Sequence, residues 1–146
     1  MTQRNTLAFS TSDFVRKVIG VPWANRACSF EKVDCWGLVV LYYRHVLGIE
    51  LHQTPDYEAG ADFFTCYQGD VVFWHQADKP VEGGIFVGYR GAQPAHVGLV
   101  LNRQALHSRG ENGSVRIDSL LVIQRAFTKV EFFEYEPGCG KINLSG

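Results

Sequence analysis

The sequence predicts an α+β fold, with N-terminal helices packed on a central antiparallel β-sheet. Three observations predict it. Capped helical segments come early, short apolar runs bounded by turn residues come late, and 46% apolar content over 146 residues is enough for one core. No internal repeat, low-complexity tract or linker divides the chain, so residues 1–146 are expected to form a single domain.

The first helix is expected over Asp13–Ile19, capped by Ser12 and stopped by Gly20. The second is the clearest element. Asp34 is its N-cap, the run Cys35–Leu47 follows, and Gly48 ends it. Leu38, Leu41, Tyr42 and Leu47 give it a broad apolar face, so it should be deeply buried. Between His52 and Gln68 the pattern reads as a long loop with a short helix over Ala59–Phe64.

Strand patterns follow: Val71–Trp74, Ile85–Tyr89, His96–Leu101, Gln104–Arg109 and Ser114–Ile117. A short helix is expected over Asp118–Phe127 and a last strand over Lys129–Tyr135. Asn102-Arg103 reads as a two-residue hairpin turn.

The candidate nucleophile is Cys35. A thiol reacts as its thiolate, and the first turn of a helix supplies partial positive charge together with unpaired N–H groups for an oxyanion. Asp34 fixes the helix start, and Gly37 permits close approach of a second chain or a substrate. A cysteine nucleophile also needs a base with an orienting partner. If the Asn102-Arg103 turn pairs Leu101 with Gln104, Gly98 faces His107. His96 then becomes the diagonal neighbour of His107 on the same sheet face, about 7–8 Å away backbone to backbone.

The other candidates read more plainly. Cys28, Cys66 and Cys139 fit packing positions, and the four cysteines are expected as free thiols. His45, His52 and His75 carry no pattern. No CxxC pair marks a closed zinc site, and no metal or other cofactor is expected. A formal charge of -1 with no Lys/Arg run argues against a nucleic-acid binder. No apolar run suits a membrane anchor, and the N-terminus lacks the pattern of a signal peptide. The expectation is synthesis in a cytoplasm.

At these residues the chain resembles the NlpC-type papain-like cysteine peptidases of bacterial cell walls. The resemblance is carried, in order, by Gly20-Val21-Pro22-Trp23, Asp34-Cys35-Trp36-Gly37-Leu38-Val39, Gly69-Asp70-Val71-Val72-Phe73-Trp74, His96-Val97-Gly98-Leu99-Val100 and Leu106-His107-Ser108. It implies a papain-like, NlpC-type α+β fold. It implies Cys35 as nucleophile, His96 as general base and then acid, and His107 as the residue that orients His96. Trp23, Asp34 and Trp36 are expected at the substrate and oxyanion side, with Trp36 where a small residue is usual and Trp23 where a tyrosine is usual. The implied substrate is the peptide of peptidoglycan, often cut between D-glutamate and diaminopimelate.

The blocks around Trp23 and Trp36 look most like the tail-assembly branch of phages and prophages, which implies tail-tip partners and a place in the virion tail. A catalytically silent tail module of the same fold is the alternative. A permuted acyltransferase of the lecithin–retinol type is a further one, opposed by the order of Cys35 before both histidines. The segment from His75 to Pro94 is longer than usual for the family and is expected as an extra hairpin over the cleft.

Overall fold

A computed structural model describes residues 9–51, 74–108, 110 and 112–135. Two helices come first, α1 (Thr11–Val18) and α2 (Cys35–Tyr42), and α2 runs into a π-helical turn over Tyr43–Leu47. Six strands follow: β1 (Trp74–Ala77), β2 (Ile85–Arg90), β3 (Gln93–Leu101), β4 (Gln104–Ser108), β5 (Val115–Ser119) and β6 (Lys129–Tyr135). A short helix, α3 (Leu120–Ala126), joins β5 to β6. The strands form one antiparallel sheet in the order β1-β6-β2-β3-β4-β5. This is the α+β class expected.

Helix α1 begins earlier than the sequence reading placed it, because the hydroxyl of Ser10, not Ser12, accepts from the backbone N–H of Asp13. Helix α2 starts where Asp34 was expected to start it. Its last turn widens to π geometry, and the chain leaves through Gly48 in the left-handed region (φ 70°). The Tyr43 carbonyl takes both closing bonds there, from the N–H groups of Gly48 and Ile49. Every residue of α2 is buried. Leu38, Val39 and Leu41 join Phe14 and Val18 of α1 and Ile85, Val97, Leu99 and Leu106 of the sheet in the main core. A smaller cluster of Phe86, Val100, Ala105, Ile123 and Phe132 lies under α3.

The β3–β4 hairpin has the register the sequence predicts. Leu101 pairs with Gln104, and Asn102 (φ 54°) and Arg103 (φ 64°) both take left-handed angles. That is the backbone of a type I′ turn, whose twist matches the flanking strands.

Two further expectations change. The segment from His75 to Pro94 is not a flap over a cleft. It supplies most of β1, all of β2 and the first residues of β3, with β6 inserted between β1 and β2. Asp118 and Ser119 belong to β5, so α3 begins at Leu120, capped by the Ser119 hydroxyl on the N–H of Val122. The expected helix at Ala59–Phe64, the strand residues Val71–Phe73, and His52, Cys66 and Cys139 lie outside the described residues.

Candidate active site

The start of α2 is held by Asp34. Its Oδ1 accepts from the N–H of Gly37 at 2.7 Å and its Oδ2 from the N–H of Arg26 at 2.8 Å. One carboxylate thus closes the helix and pins the preceding loop, an N-cap extended to a second donor. Asp34 is fully buried, so its work is structural and it presents nothing to a substrate. Gly37 is required by the protein's own chain rather than by an incoming one. A Cβ there would lie 2.2 Å from the carbonyl oxygen of Ala27.

Cys35 occupies the first position of this helix and is a free thiol, 4% exposed. Cys28, also a free thiol, is half-buried and donates to the carbonyl of Gly37. Trp36 is 0% exposed. An indole with no accessible surface cannot meet a substrate, so the substrate-side place expected for Trp36 gives way to packing in the main core. Trp23 differs. Its backbone N–H donates to the carbonyl of Gly113, while the Pro22 carbonyl accepts from Val33 and the Ala24 N–H donates to the Val33 carbonyl. The backbone on both sides of Trp23 is therefore fastened beside a residue two before Cys35, and the side chain remains half-exposed.

The histidines come from the sheet. Nε2 of His96 lies 2.9 Å from Nδ1 of His107. The two rings stand edge to face with centroids 5.1 Å apart. Gly98 makes the room, because a Cβ on it would fall 2.8 Å from Cβ of His107 and 2.5 Å from the Phe86 ring. Phe86 lies against both imidazoles, and Phe127 stacks on His96 with an interplanar angle of 15°. His107 is 2% exposed, whereas His96 is half-buried.

Both histidines lie at the end of the β3–β4 ladder away from the hairpin turn. Ser108, next to His107, donates its hydroxyl to the Val33 carbonyl at 2.9 Å. Helix α2 packs against β3 and β4. These contacts bring the start of the cysteine helix and the histidine end of the sheet into one region.

The network extends to Asp118, which the sequence reading did not select. Its Oδ2 lies 2.7 Å from Nε2 of His107, and its Oδ1 accepts from Arg116 at 2.9 Å. Burial alone would raise the carboxyl pKa, but the bonds from His107 and Arg116 outweigh it and hold the group below the usual aspartate value. The signal was available in the register. His107 pairs with Arg116 and Ala105 with Asp118, so Asp118 is diagonal to His107, as His96 is on the other side. Ending the strand at Ile117 hid it. Among the described residues, no group of three or more His, Cys, Asp or Glu is arranged to hold a metal ion.

The NlpC/P60 family profile matches residues 20–131. The chain belongs to the NlpC/P60 family. No curated protein matches it. Among solved structures, the NlpC/p60 domain of the peptidoglycan hydrolase SagA is similar at 17% identity and a TM-score of 0.59, over 84% of this chain and 93% of that one. NlpC1 and NlpC2 from Trichomonas vaginalis are similar at 17% and 18% identity with TM-scores of 0.62 and 0.59. Each is matched over 85% of this chain, which spans 42% and 45% of their lengths. At these identities the likeness is one of fold.

Proposed function

We propose that the chain is a cysteine peptidase that hydrolyses an amide bond in the peptide of peptidoglycan. The observation that carries this reading is the 2.9 Å hydrogen bond between Nε2 of His96 and Nδ1 of His107. In this reading Nδ1 of His96 serves the thiol of Cys35, at the start of the helix packed on the same strands. Membership of the family that includes the domain of SagA, a peptidoglycan hydrolase, supports the substrate class.

In this reading His96 takes the Cys35 proton, and the thiolate attacks the carbonyl carbon. The oxyanion forms near the N–H of Cys35 at the helix start. The C–N bond breaks as His96 returns its proton to the leaving amine, leaving a thioester. Water then attacks the thioester, His96 accepting its proton and passing it to the departing sulfur. Trp23 offers the substrate a half-exposed indole on backbone fastened to Val33, two residues before Cys35.

The bond cut is, in the same proposal, of the D-glutamyl–diaminopimelate type. The chain is made in a host cytoplasm and carried in a phage tail tip with other tail proteins, where it opens the wall locally. The resemblance of Gly20–Trp23 and Asp34–Gly37 to the tail-assembly branch supports that setting.

The test is digestion of purified peptidoglycan by the wild-type chain, Cys35→Ala and His96→Ala. Mass spectrometry of the released peptides identifies the bond. New amino groups from the wild type alone are expected. Equal and negligible release by all three, across wall types and pH values, removes the hydrolase reading in favour of a silent module. Antibody detection of the chain in purified particles tests the tail setting separately.

A further inference from the structure

The chemistry above gives Asp118 no task, yet Asp118 ends a hydrogen-bonded line that starts at the base. Resting on that reading of Cys35 and His96, we infer that Asp118 is a positioning residue: through His107 it holds His96 in the tautomer whose Nδ1 is the base.

Counting protons along the line fixes its direction. An ionised carboxylate can only accept hydrogen bonds. Asp118 Oδ2 is 2.7 Å from Nε2 of His107, so that nitrogen carries hydrogen and donates. A neutral imidazole has one N–H, which makes Nδ1 of His107 an acceptor. The group facing it at 2.9 Å is Nε2 of His96, which therefore donates. Nδ1 of His96 then carries no hydrogen, and its lone pair is the one that can take up a proton. Without an obligate acceptor at position 118 the line runs equally well in reverse. Nδ1–H of His107 would then donate to Nε2 of His96, the His96 hydrogen would sit on Nδ1, and no lone pair would face the thiol.

The surroundings favour the first direction. Arg116 donates to the other carboxylate oxygen at 2.9 Å and keeps the charge in place. Among the described residues, Asp118 is bonded to His107 from β4 and to Arg116 from its own strand. His96 faces His107, with Arg90 of β2 lying over the Phe127 ring that stacks on it. His107 is almost wholly shielded from water, so solvent does not compete for the middle of the line. When His96 accepts the thiol proton, the new cation is offset by the carboxylate one ring away, and Asp118 itself stays ionised.

The experiment uses the full chain as wild type, Asp118→Asn and Asp118→Ala. One readout is the nitrogen NMR shifts of the two imidazoles, which report tautomers. The other is the pH profile of iodoacetamide alkylation at Cys35, read by mass spectrometry of its peptide.

In the wild type, both rings should carry Nε2–H, and Cys35 should alkylate well below the pH of a free thiol. Asp118→Ala should populate Nδ1–H on His96. Both variants should alkylate on the order of tenfold more slowly at pH 7, with the profile moved to higher pH, since one unit of pKa corresponds to tenfold. Asp118→Glu should recover part of the loss.

Folded variants with wild-type tautomers and profiles overturn the role of Asp118 and leave Cys35 and His96 untouched. If the variants fail to fold, the wild-type spectrum decides alone, because Nδ1–H on His96 overturns the inference. A wild-type Cys35 with the profile of an ordinary thiol overturns the base itself, and the role of Asp118 with it.

Discussion

Ser108 donates its hydroxyl to the carbonyl of Val33 at 2.9 Å, joining residues 75 positions apart. The bond is fully buried at Ser108 and fastens the histidine end of β4 to the chain two residues before Cys35. Removing it leaves a buried acceptor whose remaining bond, from Ala24, is long at 3.4 Å. Ser108→Ala is therefore expected to cost about 1–2 kcal/mol in denaturant unfolding. It should also slow Cys35 alkylation several-fold, because the helix start is no longer held against the sheet. A stability loss with an unaltered alkylation rate would show that the tether matters for folding only.

Gly98 fixes the space shared by Phe86 and His107. A Cβ there meets the Phe86 ring at 2.5 Å and His107 Cβ at 2.8 Å. Gly98→Ala should cost about 1–3 kcal/mol through overpacking and disturb the bond between the histidines. Adding Phe86→Leu should recover much of the stability, as read by thermal melts of the single and double variants. No recovery would mean that the strand backbone, rather than the ring, fails to move.

The two tryptophans should separate cleanly. Trp36→Ala empties a fully buried site and is expected to cost about 3–5 kcal/mol, a large share of a domain's stability. Trp23→Ala should change stability little and raise KM on peptidoglycan peptides severalfold with a smaller change in kcat. Equal stability losses in the two variants would contradict the half-exposed placement of Trp23.

Asp118 should contribute to acid stability. Its pKa is lower folded than unfolded, so its contribution is fully present above the unfolded value, about 3.9, and is lost as pH falls through the folded value. Denaturant midpoints of the wild type should therefore fall faster below about pH 4 than those of Asp118→Asn. Parallel curves would show that the carboxyl is not held down in the folded chain.

Much of this was legible because it depends on short-range rules. Asp34 and Gly48 mark the ends of the second helix through capping chemistry, and its π turn is a small departure inside those ends. The pairing of His96 with His107 followed from a two-residue turn and strand parity alone. Trp36 and Asp118 were not legible for a different reason. Whether the residue beside Cys35 points into the core depends on what packs there, and local sequence carries no such information. Asp118 needed the end of β5 to be known to within one residue, and strand ends are set by cross-strand bonds rather than by the strand's own residues. Gly37 was rightly singled out as a point of close approach, but the approaching group, the Ala27 carbonyl, lies ten residues away in a loop with no periodic pattern.

The strand order has a consequence for synthesis. Because β6 lies between β1 and β2, the last described strand is an interior member of the sheet. A nascent chain that ends before Lys129 offers β2 with one bare edge and β1 with no neighbour among the described strands. The cysteine helix and the histidine hairpin can collapse early, but they sit on an incomplete sheet of four joined strands until Tyr135 has left the ribosome. Such an unpaired inner edge is what holdase chaperones cover and aggregates extend. Truncation a few residues too early should therefore yield insoluble protein rather than a smaller, working domain.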